Sequence, residues 1–164
     1  MKAAIYQGKQ RIVIEDIPIP EPGPNEILVK IDYSAICGTD VHAFLYDIAP
    51  PGSVLGHEFS GRVVAVGQNV TKWKDDDRVI CGGGTPPPGM EAPLRRQSQY
   101  NYRLEGFSNS RNRGYAEYTI LKDWEPSVVP DNVDQLQASL TEPCSVVVRA
   151  VRLSNQKLGD TVAV

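Results

Sequence analysis

The chain has 164 residues, of which 41% are hydrophobic and 23% charged, with a formal net charge of -3. This length fits one domain with a core of ordinary size, and the acidic balance gives no reason to expect a nucleic acid or an anionic membrane as partner. Neither an apolar run of about 18 residues nor a signal peptide is apparent, so we expect a cytoplasmic protein.

Composition also indicates the fold class. Thirteen prolines and fourteen glycines interrupt Val- and Ile-rich segments often enough to exclude many long helices. We therefore predict a mainly β fold with a few helices (α+β). The three cysteines are an odd number without paired spacing, which is typical of reduced thiols or metal binding rather than of a disulfide framework.

The first part of the chain reads as strands. Residues 1–6 and 11–16 alternate around Gly8, as in a hairpin. Four prolines between 18 and 24 then predict an extended connector that cannot donate hydrogen bonds to a sheet. Residues 26–36 form the next predicted strand, which ends directly before Cys37.

A short helix is expected after Cys37, capped by Thr39 or Asp40. Residues 61–67 alternate as a strand, and residues 70–80 predict a turn followed by another strand. The pattern is then lost between residues 81 and 113, where we expect an irregular, mobile lobe.

An alternating pattern at 114–121 again predicts a strand, which residues 124–129 are expected to continue. The period then changes over 135–153, where apolar spacing predicts helix and Pro143 must lie at a break or in a first turn. Residues 158–164 read as the start of an apolar strand.

The chemistry of the chain is concentrated in Cys37, His57 and Glu58, which supply a thiolate, an imidazole and a carboxylate. These groups are zinc ligands, and a mixed set of about three suits a catalytic site better than a closed structural one. The alternative is that Cys37 is a small buried hydrophobe and His57 a core histidine.

The run Gly56-His57-Glu58-Phe59-Ser60-Gly61, continuing into Arg62–Val70, resembles the zinc signature of the medium-chain dehydrogenase/reductase family, and Cys37 lies at the family's usual distance upstream. The resemblance implies a GroES-like β-barrel catalytic domain over residues 1–153. Residues 154–164 would then be a linker and the first strand of a truncated Rossmann domain, which would bind NAD(P) only in the full-length enzyme.

The same resemblance implies one catalytic zinc ion held by Cys37, His57 and Glu58, with a further ligand from the segment at 140–146. Its Glu142-Pro143 pair is similar to that of polyol dehydrogenases and favours Glu142, whereas Cys144 is the competing ligand. We expect no structural zinc, because Cys81 is the single cysteine where many relatives carry four.

Three residues match the catalytic machinery of the family. Thr39 and His42 match its proton relay, and Asp40 matches the carboxylate that orients the zinc-bound histidine. Helix capping by Thr39 or Asp40, and a surface location for His42, are the structural alternatives.

The function implied is hydride transfer between a secondary alcohol or polyol and NAD(P), inactive without the cofactor domain. The partner would be a small alcohol, and a homo-oligomer of the full-length enzyme is compatible with the resemblance. One alternative is a stand-alone metal-binding or protein-interaction β-barrel module without catalysis. Another is a metal-free reductase of the same fold.

Overall fold

The computed structural model describes residues 1–81 and 114–163. Two antiparallel sheets make up most of this part, one of three strands in the order β2-β1-β4 and one of five in the order β7-β3-β5-β6-β8. The strands are β1 Lys2–Gly8, β2 Arg11–Asp16, β3 Glu26–Ala35, β4 Ser53–Val54, β5 Glu58–Val66, β6 Arg78–Ile80, β7 Tyr118–Lys122 and β8 Ser127–Val128. The helices are α1 Gly38–Leu45, α2 Gln135–Ala138 and α3 Thr141–Leu153.

The amino-terminal hairpin forms as predicted. Strands β1 and β2 pair from Lys2 opposite Asp16 to Gly8 opposite Arg11. Lys9 and Gln10, which connect them, both have positive φ, as a tight turn that matches the right-handed twist of the strands requires. The proline-rich connector after β2 contains no strand.

The five-stranded sheet carries the largest core cluster. Strands β3 and β5 pair along most of their length, and each contributes alternate apolar side chains to one face. Trp73 closes this cluster and donates its indole N–H to the carbonyl of Asp123 at 2.6 Å. The buried members are Ile27, Val29, Phe59, Val63, Trp73, Val79 and Leu121.

Residues 115–117 join the two sheets. The backbone N–H of Ala4 donates to Tyr115 and that of Ile31 donates to Glu117, so this segment bonds to β1 on one side and to β3 on the other. The strand predicted from 114 therefore begins only at Tyr118. The prediction that 124–129 continue it is wrong, because β8 pairs with β6 at the opposite edge of the sheet.

The helix after β3 is confirmed, but its predicted cap is wrong. Helix α1 begins at Gly38, and Cys37 is the N-cap, accepting a bond from the backbone N–H of Thr39. The Asp40 side chain accepts the backbone N–H of Cys37 and completes a capping box. Pro143 lies in the first turn of α3, as predicted, where its missing N–H costs nothing.

Two further predictions concern the strand expected at the carboxyl end of the chain and the lobe expected before residue 114. Residues 161–163 form no strand, since within the described part of the chain they have no neighbouring strand to pair with. The irregular lobe expected at 82–113 lies outside the described residues. Within 1–81 and 114–163, no helix is long and apolar enough to cross a membrane, and the cytoplasmic location stays a prediction.

A glycine determines how closely β3 and β5 approach. A Cβ atom at Gly61 would overlap the carbonyl oxygen of Lys30 and would lie 2.8 Å from Cγ1 of Val29. Both neighbours belong to β3, which is paired with β5 on one side and with β7 on the other, so neither can move without disturbing the sheet. At Gly38, by contrast, an added Cβ meets nothing within 4 Å.

We therefore predict that Gly61→Ala lowers the free energy of unfolding by about 2–3 kcal/mol, because the β3–β5 pairing must open to admit the methyl group. Gly38→Ala is the matched control and should change the free energy of unfolding by less than about 0.5 kcal/mol. Urea unfolding of both variants measures the difference. Equal stability of the Gly61→Ala variant and the wild-type chain would contradict this account of the spacing.

Candidate metal centre

The residues predicted to bind zinc come from two neighbouring strands. Cys37 follows the end of β3, while His57 precedes β5 and Glu58 is its first residue. Ala35 and Glu58 are paired in the sheet, so the antiparallel register brings the end of one strand beside the start of the other. Potential ligand atoms of Cys37, His57 and Glu58 all lie within 4.8 Å of one another.

This group fits a zinc ion in size and chemistry. Zinc binds sulfur at about 2.3 Å and nitrogen or oxygen at about 2.0–2.2 Å, so tetrahedral ligand atoms lie roughly 3.3–3.8 Å apart. Small side-chain rotations of the three residues would reach these distances. Cys37 and His57 are partly exposed and Glu58 is buried, so the group lies at the edge of the core with one side open.

The fourth predicted ligand, Glu142, borders the group. It lies in the first turn of α3, and its pKa is affected by burial and by the charges of His57, Glu58 and Asp40. Cys144 is two residues further along α3 and is exposed. Since two residues turn a helix by about 200°, the two side chains leave α3 on nearly opposite sides, which favours Glu142 over Cys144.

Behind the group lies Asp40, which is only 2% exposed. Its Oδ1 accepts the N–H of Gly56 at 3.1 Å and lies 3.5 Å from Nδ1 of His57. Its Oδ2 accepts the N–H of Cys37 at 3.2 Å and the hydroxyl of Tyr115 at 2.9 Å. Because Asp40 faces Nδ1, His57 has Nε2 available for a metal ion.

The contact between Asp40 and His57 changes the pKa of both groups. Burial alone would raise the pKa of Asp40, but the hydrogen bond and charge of His57, with the donors Tyr115 and Gly56, lower it below its usual value. Burial would likewise lower the pKa of His57, but Asp40, followed by Glu142 and Glu58, raises it. The pair is thus stabilised as carboxylate and imidazolium.

On the open side of the group, the pKa values of Cys37 and Glu142 are raised above their usual values. Burial raises the pKa of the Cys37 thiol, bonds from Thr39 oppose this shift, and Glu58 adds to it. Burial also raises the pKa of Glu142, where the attraction of His57 is opposed by the repulsion of Glu58 and Asp40. A divalent cation among these groups would remove the repulsion and favour the anionic ligands, so the residues present fit zinc.

The two predicted relay residues lie on α1. The backbone N–H of Thr39 is 3.4 Å from Sγ of Cys37, and Thr39 acts to lower the pKa of that thiol, which burial raises. His42 is exposed, with its ring 5.7 Å from the ring of Tyr46. Residues three apart share one helix face, so Thr39 and His42 lie on the same face of α1.

Sequence analysis missed two contributors to this centre. Tyr115, which donates to Asp40, stood in a segment interpreted only as a strand. Cys81, interpreted as a remnant thiol, donates its thiol to the carbonyl of His57. Neither contact has a signal in the sequence, because each depends on segments 24 or 75 residues apart along the chain. The absence of a structural zinc stays a prediction, since 82–113 are outside the described residues.

Comparison with known proteins places this geometry in context. The model of the alcohol dehydrogenase GroES-like domain matches residues 23–131, which is more than half of the chain. A curated relative, the D-arabitol-phosphate dehydrogenase of Enterococcus avium, is 32% identical over 96% of this chain and 46% of its own length. The chain spans about half the length of the curated relatives it matches.

Solved structures agree with that match. The 2R,3R-butanediol dehydrogenase of Bacillus subtilis superimposes with a TM-score of 0.78 at 29% identity, over 98% of this chain and 49% of that one. A structure from Sinorhizobium meliloti 1021, described as a zinc-binding dehydrogenase bound to NADP, gives a TM-score of 0.78 at 31% identity, over 98% and 47%.

We predict one zinc ion per chain, which should be lost in a Cys37→Ser, His57→Ala double variant because its thiolate and imidazole ligands are gone. Elemental analysis after dialysis against a weak chelator measures the content. Cys144→Ser serves as the matched thiol control and should keep its zinc, whereas Glu142→Gln should bind zinc more weakly. Full zinc retention in the double variant, or zinc loss in Cys144→Ser, would contradict the assignment.

Proposed function

The chain belongs to the family of alcohol dehydrogenase GroES-like domains, and on that premise we propose that it is the catalytic domain of a zinc-dependent NAD(P) alcohol or polyol dehydrogenase. One observation carries the proposal. Ligand atoms of Cys37, His57 and Glu58 lie within 4.8 Å of one another, with Asp40 behind His57. This is the arrangement of a metal site with an oriented histidine and an open side.

The proposed domain comprises residues 1–153, and residues 154–164, of which 154–163 form no strand by themselves, would become the linker to, and first strand of, a dinucleotide-binding domain. The relatives support this division, because the chain spans about half of their length. Hydride transfer needs a nicotinamide held against the substrate. The catalytic half supplies the metal site and the proton path, and NAD(P) binds to the other half.

Each residue of the centre has a proposed task. Cys37, His57, Glu58 and Glu142 would hold zinc, which when bound would supply Lewis acidity that makes an alcohol hydroxyl easier to deprotonate. The Thr39 hydroxyl, beside Cys37, accepts the substrate proton and passes it outward. The exposed imidazole of His42, one helical turn along α1, accepts it and releases it to water.

The proposed substrate is a secondary alcohol or polyol. The Glu142-Pro143 pair supports this class, since it is similar to the corresponding pair of polyol dehydrogenases. The names of the relatives, which include D-arabitol-phosphate, sorbitol and 2R,3R-butanediol dehydrogenases, support the same class. We propose a cytoplasmic enzyme, as the sequence predicts.

A chimeric protein tests the proposal. Residues 1–153 are joined to the dinucleotide-binding half of a polyol dehydrogenase relative, and NAD(P)H formation is followed by absorbance with a series of secondary alcohols and polyols. We expect zinc-dependent turnover from the chimera and none from the 164-residue chain alone. A chimera that binds zinc and coenzyme but oxidises no alcohol would favour a binding module, and micromolar coenzyme binding by the chain alone would contradict the division of tasks.

The proton path generates a separate prediction in the same chimera. His42→Ala should slow turnover about 10-fold to 100-fold, the lower part of the range for general acid–base assistance, because water partly replaces an exposed relay end. The loss should be greatest at low pH, where removing the substrate proton is hardest, and added imidazole should restore part of the rate. Zinc content should not change.

The pH–rate profile of the variant decides between the roles of His42. An unchanged profile would make it a surface histidine, and zinc loss would make it a ligand. Tyr46→Phe is the matched control, because Tyr46 lies against His42 on the same helix and has no place in the path. It should leave the profile unchanged.

A further inference from the structure

Tyr115 has an unusual position in the metal centre, because it belongs to neither of the segments that supply ligands. Its hydroxyl donates to Oδ2 of Asp40 at 2.9 Å, on the side of the carboxylate that faces away from His57. Oδ1, the other oxygen, faces His57 and Gly56. Tyr115 therefore bonds to the residue that orients His57 and does not contact the imidazole through any hydrogen bond of the described structure.

The backbone holds Tyr115 in place at both ends. Its N–H donates to the carbonyl of Leu55 at 2.9 Å, and its carbonyl accepts the N–H of Ala4 at 2.8 Å. Leu55 lies two residues before His57, so the same segment that presents His57 also fixes Tyr115. The position of the backbone of Tyr115 is thus set by hydrogen bonds to Leu55 on one side and to Ala4 of β1 on the other.

The ring of Tyr115 is equally constrained. It lies against Gly56, where an added Cβ would be 2.6 Å from Cδ1 of the ring, and it packs against the buried clusters that contain Tyr6 and Ile5. Gly56 has a φ of +94°, a conformation that favours glycine. The ring cannot move toward Gly56 or into the core, so the hydroxyl stays directed at Asp40.

Asp40 needs such a donor because its carboxylate is almost completely buried. A buried carboxylate is stable only when its oxygens are hydrogen-bonded. The N–H groups of Cys37 and Gly56 are attached to the two ligand-bearing segments, so they move with the ligands. Tyr115 provides an attachment to a third segment, which the ligands do not share.

We propose that Tyr115 is a positioning residue of the metal centre, which holds the Asp40 carboxylate so that the imidazole of His57 presents Nε2 to zinc. This inference rests on the proposed function, since it concerns the same metal site. Partners of metal-bound histidines typically change metal affinity 10-fold to 100-fold when mutated. The Tyr115 hydroxyl does not contact His57 but acts on it through Asp40, and three other donors to Asp40 remain. We therefore expect its removal to lower zinc affinity about 10-fold, the lower end of that range.

Tyr115→Phe tests the proposal, because it removes the hydroxyl and keeps the ring that packs on Gly56. Tyr6→Phe is the matched control, since it also removes one tyrosine-to-carboxylate hydrogen bond, that to Asp47, at a different place. Zinc dissociation constants are measured by competition with a chromogenic chelator, and stability by urea unfolding. We expect zinc affinity to fall about 10-fold in Tyr115→Phe and to stay unchanged in Tyr6→Phe.

A second measurement separates this proposal from the proposed function. Nitrogen-15 spectra of the metal-free chain, at a pH where the imidazoles are neutral, report which nitrogen of each of the two histidines carries the proton. We expect His57 to be protonated at Nδ1 in the wild-type chain and in Tyr6→Phe, and to show more of the Nε2-protonated form in Tyr115→Phe. His42 should be the same in all three.

The outcomes are distinct. Failure of the wild-type chain to bind zinc would overturn the proposed function, while the change in His57 protonation would still support the role of Tyr115 in orienting it. Zinc binding with equal affinity and equal His57 spectra in the wild-type chain and Tyr115→Phe would overturn the inference alone. An equal loss of affinity in Tyr6→Phe would also overturn it, because the effect would then be one of general stability.

Discussion

The metal centre depends on one buried carboxylate. Asp40 is 2% exposed and accepts bonds from Cys37, Gly56 and Tyr115, with His57 at 3.5 Å. A buried charge of this kind is costly unless it is paired and hydrogen-bonded, so the carboxylate is stable only when all of these segments are assembled around it. Formation of the site therefore requires that these segments be brought together by the fold.

The β-sheet explains why the ligands converge. The register of β3 and β5 sets Cys37 beside His57 and Glu58, and Gly61 allows the two strands to approach closely. Strands are stiffer supports than loops, and sites on them keep their geometry better. Cys37 lies between the end of β3 at Ala35 and the start of helix α1 at Gly38, so the same residue caps the helix and offers a thiol to the metal.

Electrostatics then distinguishes the two sides of the centre. On the buried side, donors lower the pKa of Asp40 and keep it anionic. On the open side, burial and neighbouring carboxylates raise the pKa of Cys37 and Glu142, which leaves a group of ligands that a cation would stabilise. A site built in this way favours a metal ion over protons as pH rises, because each ligand must lose its proton to bind.

Sequence by itself determined the main elements of this protein and indicated its metal-binding chemistry. The hairpin, the β3 and β5 strands and the helix after Cys37 follow from alternation, glycines and caps, which act over a few residues. The association of Cys37 with His57 and Glu58 was also recognisable, because it depends on residue types and spacing along the chain. Pro143 was correctly expected in a first turn or at a break, since its ring tolerates few other positions in a helix.

Only the tertiary structure decided the rest. The sequence could not place β8 at the far edge of the sheet, because strand order depends on long-range pairing rather than on local pattern. It did not identify Cys37 as the helix cap, since cysteine is an unusual cap. Nor could it show that Tyr115 donates to Asp40, 75 residues away in the chain. The physical reason is common to all three: a hydrogen-bond partner is chosen by the folded geometry, and residue type states only what a side chain is able to donate or accept.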